Sequence, residues 1–154
     1  MKIKYTSYTV VFQEVPNEVT LAFEVSGCPF HCKGCHSPHL WDDVGAPLLA
    51  ALPDIVERYA PYITCVCFMG GTQNIPQLCE ALQVVKVHNL KTCVYAGNDD
   101  INEVRGLIPF VDYLKVGSYQ AERGPLNNPN TNQAFYQVQD GQLCDKTYLF
   151  HKGV

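Results

Sequence analysis

No stretch of the sequence approaches the ~20 consecutive apolar residues that span a bilayer, although 47% of its 154 residues are apolar. The opening residues, Met1 to Tyr5, lead straight into strand-like sequence and not into the apolar core of a targeting segment. Basic residues are few. Eleven Lys and Arg stand against 15 Asp and Glu, for a net charge of −4, and they form no stripe, so nucleic acid has no electrostatic handhold. The only regularity is an alternation of strand-like and helix-like runs, with no longer repeat and no low-complexity tract. Eight cysteines are too sparse for a stapled secreted domain. Together these absences predict one soluble, cytoplasmic domain over residues 1–154, with no membrane or nucleic-acid partner. At that length ~70% of the unfolded surface can be buried.

What the sequence does have is concentrated between Cys28 and Cys35, which reads Cys-Pro-Phe-His-Cys-Lys-Gly-Cys and places thiols at i, i+4 and i+7. Three thiols so close can wrap one soft metal centre, whereas a closed tetrahedral zinc site or a fully ligated four-iron cluster takes a fourth protein ligand. A [4Fe-4S] cluster held by Cys28, Cys32 and Cys35 therefore keeps one iron open for chemistry. The rival is a Cys3His zinc site completed by His31, His36 or His39. Structural zinc sites pair their ligands as two hooks across a longer loop, and this stretch has one hook. Of the other cysteines, Cys65, Cys67, Cys79, Cys93 and Cys144, four fall within strand or helix patterns as small apolar residues.

Along the chain, β-branched and aromatic runs predict strands over residues 5–12 and 19–25, the second delivering the chain into the cysteine loop. Leu48, Leu52, Ile55, Val56 and Tyr59 recur at helical spacing, with Pro53 tolerable only in the first turn. Residues 64–69 form a continuous apolar run ending at Gly70-Gly71. A helix follows, with Asn74 as its cap and Pro76 in its first turn. The pattern predicts further strands over 92–96 and 111–116, separated by a short helix that Asp100 and Glu103 open as a capping box. Residues 118–133 are polar and rich in Gly, Pro and Asn. Strand-like runs over 135–138 and 147–150 flank a turn at Asp140-Gly141. Strands alternating with helices imply right-handed crossovers in a mainly parallel sheet. Four such units are too few for a closed barrel, so the fold class is α/β, a partial, splayed βα barrel. Its special loops all fall at the C-terminal strand edge, where parallel α/β folds build their sites.

The spacing CxxxCxxC, with Ser26-Gly27 before it and His36-Ser37-Pro38 after it, resembles the signature of the radical S-adenosylmethionine (SAM) enzymes and of their small glycyl-radical activases. Gly70-Gly71-Thr72 stands where that superfamily carries Gly-Gly-Glu, and Asp112-Tyr113-Leu114-Lys115 is similar to an activase strand. The resemblance is closest to the branch that activates the anaerobic ribonucleoside-triphosphate reductase. It extends through residues 12–21, Gly34, Trp41, Cys67-Phe68-Met69, Val116-Gly117 and residues 129–136.

This resemblance implies a radical-SAM barrel with a [4Fe-4S] cluster and SAM as cofactors. The cluster cleaves SAM, and the resulting 5′-deoxyadenosyl radical takes a hydrogen atom from a glycine of the reductase large subunit. A low-potential donor such as flavodoxin or ferredoxin supplies the electron. Gly70 and Gly71 receive the SAM amino group, Thr72 adds at most a neutral hydrogen bond where the acidic residue is absent, and Lys115 points toward the SAM carboxylate. No catalytic residue beyond the cluster ligands is implied. His31 and His36 are outer-shell candidates, and Trp41 a packing residue. The alternatives are action on another glycyl-radical enzyme or on a small molecule such as a purine, and a non-catalytic zinc or electron-transfer module.

Overall fold

The computed structural model describes residues 2–28, 30, 38 and 41–151. Cys32, Cys35, His31, Gly34, His36 and His39 lie outside the described residues. Among the described residues eight strands form one sheet: β1 (Lys4–Val11), β2 (Thr20–Val25), β3 (Ala46–Pro47), β4 (Cys65–Met69), β5 (Lys91–Tyr95), β6 (Tyr113–Val116), β7 (Ala134–Gln139) and β8 (Gln142–Asp145). Their spatial order is β3-β1-β2-β4-β5-β6-β7-β8, and the two end strands do not pair. Two α-helices, α1 (Leu48–Tyr59) and α2 (Ile75–Lys86), and a 3-10 segment (Ile101–Phe110) make the crossovers.

The sheet is open and α/β, but it is mixed, not mainly parallel. Only β2, β4, β5 and β6 run parallel to one another, while β1, β3, β7 and β8 join antiparallel. The reason lies in the connections. A parallel neighbour needs a crossover of a dozen or more residues, usually helical, and the links into β2, β7 and β8 contain no helix.

Alternation along the parallel strands gives the sheet two faces. Leu21, Phe23, Val25, Val66, Phe68, Val94, Leu114 and Val116 build the main core under the helices. The opposite face carries Ala22, Cys65, Cys67, Cys93 and Tyr113, covered by Val15, Leu126 and Phe135. In α2, Asn74 caps as expected by accepting the Gln77 N–H at 3.2 Å, and Pro76 sits in the first turn. Pro53 stands inside α1, in its second turn, and removes one i→i−4 bond there.

Three expectations are corrected. Residues 101–110 form a 3-10 segment, consistent with Gly106 and Pro109 inside it. Its cap is not a capping box: Asp100 accepts from Asn102 N–H, and the Glu103 carboxylate turns away to Asn98. The run 147–150 is not a strand but part of a 3-10 segment (Thr147–His151). Asp140 and Gly141 both have positive φ and form a two-residue turn, which sets Gln139 opposite Gln142 and makes β8 the returning strand. Among the described residues no helix is long and apolar enough to cross a membrane.

Candidate iron–sulfur and cofactor site

Four turns meet at the C-terminal edge of the parallel strands: Ser26-Gly27-Cys28 after β2, Gly70-Gly71-Thr72 after β4, Ala96-Gly97-Asn98 after β5 and Gly117-Ser118 after β6. Parallel register brings them together, since Glu24 pairs with Met69, Met69 with Tyr95, and Tyr95 with Lys115. Backbone bonds then stitch each turn to the next: Gly70 N–H to Tyr95 C=O at 3.0 Å, Ala96 N–H to Lys115 C=O at 2.8 Å, and Gly117 N–H to Asn98 C=O at 2.7 Å. Side chains add two ties. The Thr72 hydroxyl donates to Asn98 Oδ1 at 2.9 Å, and Gln73 Nε2 donates to Ser26 C=O at 2.8 Å.

Gly70 is required by geometry. Its φ is +113°, and a Cβ there would lie 2.9 Å from the Val25 carbonyl oxygen, a backbone atom that cannot step aside. Gly97 has a different use. A Cβ on it would come within 2.7 Å of Phe30 Cδ2, so the ring of Phe30, inside the cysteine loop, rests directly on the backbone at the end of β5. Cys28 is half-buried, with its preceding residues held by Gln73 and Phe30, two positions on, against Gly97. Cys32 and Cys35 lie outside the described residues.

Beside this edge, on the face away from the helices, opens a cleft of about 890 Å³. The 12–19 link contributes Gln13, Glu14, Pro16 and Asn17, the sheet contributes Tyr95 and Lys115, and the 118–133 loop contributes Tyr119, Leu126, Asn127 and Gln133. Lys115 is only 8% exposed. Its ammonium donates to Gly117 C=O at 2.8 Å and Ala96 C=O at 3.4 Å and lies 5.8 Å from the Tyr95 ring centre. Tyr95 in turn donates its hydroxyl to Glu14 C=O, fixing the 12–19 link over the cleft. Burial, then the neighbouring Cys93 and Cys67 thiols, pushes the Tyr95 phenol up and keeps it a donor. The structure thus brings Lys115 into the cleft wall, while Gly70, Gly71 and Thr72 stand on the adjoining rim and do not line it.

Beneath the cleft, Cys65, Cys67 and Cys93 are fully buried, with Cys67 directly opposite Cys93. Among the described residues no group of three His, Cys, Asp or Glu side chains could hold a metal ion. Burial, followed by the neighbouring Cys67, raises the thiols of Cys65 and Cys93, so they stay protonated and inert.

The chain matches the family of 4Fe-4S single cluster domains over residues 18–136, from just before β2 into β7 and across all three clustered thiols. It belongs to that family. No curated protein and no solved structure matches. For this 4Fe-4S single cluster domain the residues fit the group: three soft thiolate donors in eight residues, on a loop whose described members, Cys28 and Phe30, lie beside the turns after β4 and β5. Sequence reasoning missed Gln73, Phe30, Tyr95 and Glu14 as parts of this edge. Gln73 and Phe30 act across long separations, and Tyr95 reads as an ordinary strand aromatic. Only Gly97 signalled a close approach.

Proposed function

We propose that this 4Fe-4S domain is a radical SAM activating enzyme that removes a hydrogen atom from a glycine in the large subunit of the anaerobic ribonucleoside-triphosphate reductase. The observation that carries this reading is the convergence of the Cys28 turn, the Gly70-Gly71 turn and Lys115 on one strand edge beside a cleft of about 890 Å³. When bound, the cluster supplies the electron that cleaves SAM, delivered from flavodoxin or ferredoxin. The chain's own residues bind and shield. The backbone of the turn at Gly70 and Gly71 would receive the SAM ammonium. Lys115 carries a cation into the cleft wall for the carboxylate, exchanging carbonyl partners for an anion. Tyr95, Leu126 and Phe150 supply the apolar part of the lining, which would help to shield a reactive species. The 118–133 loop borders the opening through which a glycine-bearing segment of the partner would enter.

The test is anaerobic reconstitution followed by dithionite reduction with SAM. The expected products are methionine and 5′-deoxyadenosine, and addition of the reductase large subunit should give a glycyl radical visible by electron paramagnetic resonance. Turnover with a small molecule and no protein partner would reassign the substrate. Membership in a single-cluster 4Fe-4S family also favours a second reading, an electron-transfer module. A cluster that cycles without cleaving SAM would establish that one.

A further inference from the structure

The outer edge of β1 is uncovered over most of its length. β3 pairs only with Lys4 and Tyr5, and among the described residues no strand lies beside residues 6–11 on the side away from β2. Every second residue of that stretch turns its backbone N–H and C=O outward, as in any strand with one neighbour. Between residues 5 and 13 the chain carries no charge and no proline, the residues that usually blunt an edge. Its one bulge, between Tyr5 and Ser7, lies at the covered end. The sheet's two end strands are guarded differently: β3 is two residues long and contains Pro47, and β8 is four residues long, ends in Asp145 and lies between Asp140 and Lys146. The β1 edge is thus the one stretch of this sheet left open to pairing among the described residues.

We propose that this edge pairs antiparallel with the same edge of a second copy of the chain, forming a two-fold dimer whose axis passes beside Thr9. The register follows from the strand. A strand faces its own copy with outward N–H and C=O groups matched only when the axis passes beside a residue and not between two. An axis at Tyr8 would bring Val11 of the second copy opposite Tyr5, where Ala46 already pairs. An axis at Thr9 avoids that clash. It sets Tyr8 against Val10 of the second copy, Ser7 against Val11, and Thr9 against Thr9. Tyr8 and Val10 both pack on the helix side of the sheet and make an aromatic–β-branched pair, and the two threonines make a hydroxyl pair on the other face; both kinds stabilise cross-strand contacts. The same register places Phe12, 68% exposed, beside Thr6 of the second copy at the start of β3, next to Val44, which is 45% exposed. These pairs identify the occupant, because the edge supplies to itself the partners that a foreign strand would have to bring. Association closes at two copies, since each has one such edge. The inference rests on β1 and not on the cluster or on SAM.

The experiment is sedimentation velocity of the full chain from about 1 to 100 µM, the range in which a small interface associates, with amide hydrogen exchange at both ends of that range. Wild type should shift from one copy to two as concentration rises, and exchange should slow in residues 6–11. Thr9 is exposed, so Thr9→Lys and Thr9→Glu should fold with an unchanged thermal midpoint. Each opposes two like charges at the axis and should raise the dissociation constant about fivefold, the upper end of what one cross-strand pair contributes. An equimolar mixture of the two variants should recover wild-type association, which a merely damaged strand could not do. A chain that stays single at the highest concentration would overturn the proposal and leave the edge to the strand of another protein. So would a dimer in which residues 6–11 exchange no more slowly, wild-type association in both variants, or no recovery in the mixture. SAM cleavage is scored separately, so its absence would sink the activating-enzyme reading without touching this one.

Discussion

The hydroxyl of Thr72 donates to Oδ1 of Asn98 at 2.9 Å, closing a side-chain bridge between the turn after β4 and the turn after β5. The amide of Asn98 continues to Glu103 at 3.1 Å, so the Thr72 proton is committed within the scaffold. This separates residue 72 from the glycines before it. Thr72→Ala removes one neutral hydrogen bond and should cost ~1 kcal/mol in stability or SAM binding. Gly70→Ala faces both a positive φ and the Val25 carbonyl oxygen at 2.9 Å, a strain of ~1–3 kcal/mol before any effect on ligand. Gly71→Ala meets only side chains, Leu78 at 3.3 Å and Val25 at 3.6 Å, which can move, although its positive φ still costs something. Urea unfolding and equilibrium SAM binding should therefore rank Gly70→Ala as the most harmful and Thr72→Ala as the mildest. Equal, small losses in all three would make this turn merely structural.

Six of the eight cysteines should divide cleanly in an iron assay. Alanine at Cys28, Cys32 or Cys35 should abolish the cluster and SAM cleavage. Alanine at Cys65, Cys67 or Cys93 should leave iron and sulfide content at wild-type levels, because these thiols are buried on the sheet and remain protonated. Each should cost only ~1 kcal/mol in stability, typical of a small core truncation. Selective loss of iron from Cys93→Ala would place a fourth ligand in the sheet and close the open coordination position.

Much of the parallel unit was legible because burial on both faces forces continuous apolar runs, as in Cys65–Met69 and the strand around Val94. The α2 cap was legible because Asn74 and Pro76 act within four residues. The errors came where local signals compete. Thr147 to Phe150 looks β-forming, but the tight turn at Asp140-Gly141 had already recruited Gln142–Asp145 as the partner strand, and Asp145 Oδ1 accepts the Thr147 N–H at 2.9 Å, turning the chain away. Glu103 had the spacing of a capping box and went to Asn98 instead. The cleft itself was not legible. Its walls come from the 12–19 link, two strands, the 118–133 loop and the C-terminal turn, and only Lys115 and Tyr119 bring two of them close in sequence.

The raised thiols give stability a pH dependence. Below pH ~8.5, the ordinary cysteine value, both folded and unfolded chains keep Cys65 and Cys93 protonated and stability is full. Above it the unfolded chain releases protons that the buried thiols retain, so the unfolded state gains and stability falls as pH rises. Tyr113 acts in the same direction above pH ~10, its phenol pushed up by burial and by donation to Glu18. Denaturation midpoints of the apo-protein should therefore fall from pH 8 to 10. The double variant Cys65→Ala, Cys93→Ala should show a shallower fall, and an identical slope would remove these thiols as the cause.

Glu18 should matter for folding and not for chemistry. Its carboxylate accepts from Thr64 Oγ1 at 2.7 Å, Lys91 Nζ at 3.1 Å and Tyr113 OH at 2.6 Å, joining β4, β5 and β6 at their N-terminal edge. Glu18→Ala strands a largely buried phenol and should cost ~2–3 kcal/mol. Lys91→Ala should cost under ~1 kcal/mol, because its ammonium end is half-exposed and screened. Iron content and SAM cleavage per folded molecule should be unchanged in both. A large activity loss at wild-type stability would show that this edge communicates with the opposite one.

The 118–133 loop is the remaining element with an open role, and its packing dictates how to test it. In the function proposed above it borders the partner's entry path, and the obvious experiment is to shorten residues 124–130. The structure argues against that deletion. Leu126 is 7% exposed and belongs to the second core, Thr131 Oγ1 holds Gly124 C=O at 3.0 Å, and Arg123 Nε holds Asn130 C=O at 2.9 Å. Removing the segment would open the cleft and damage every activity at once. Asn127 and Asn130 are exposed on the same loop, and Asn127 also lines the cleft, so these side chains can be removed without touching the packing of Leu126. If the loop docks the partner's glycine-bearing segment, Asn127→Ala with Asn130→Ala should leave SAM cleavage by the isolated protein close to wild type. Glycyl-radical yield on the partner should fall by about tenfold, equivalent to ~1.4 kcal/mol of lost docking. A parallel loss of both activities would put the loop in the SAM site, and no loss of either would make its exposed face a spectator.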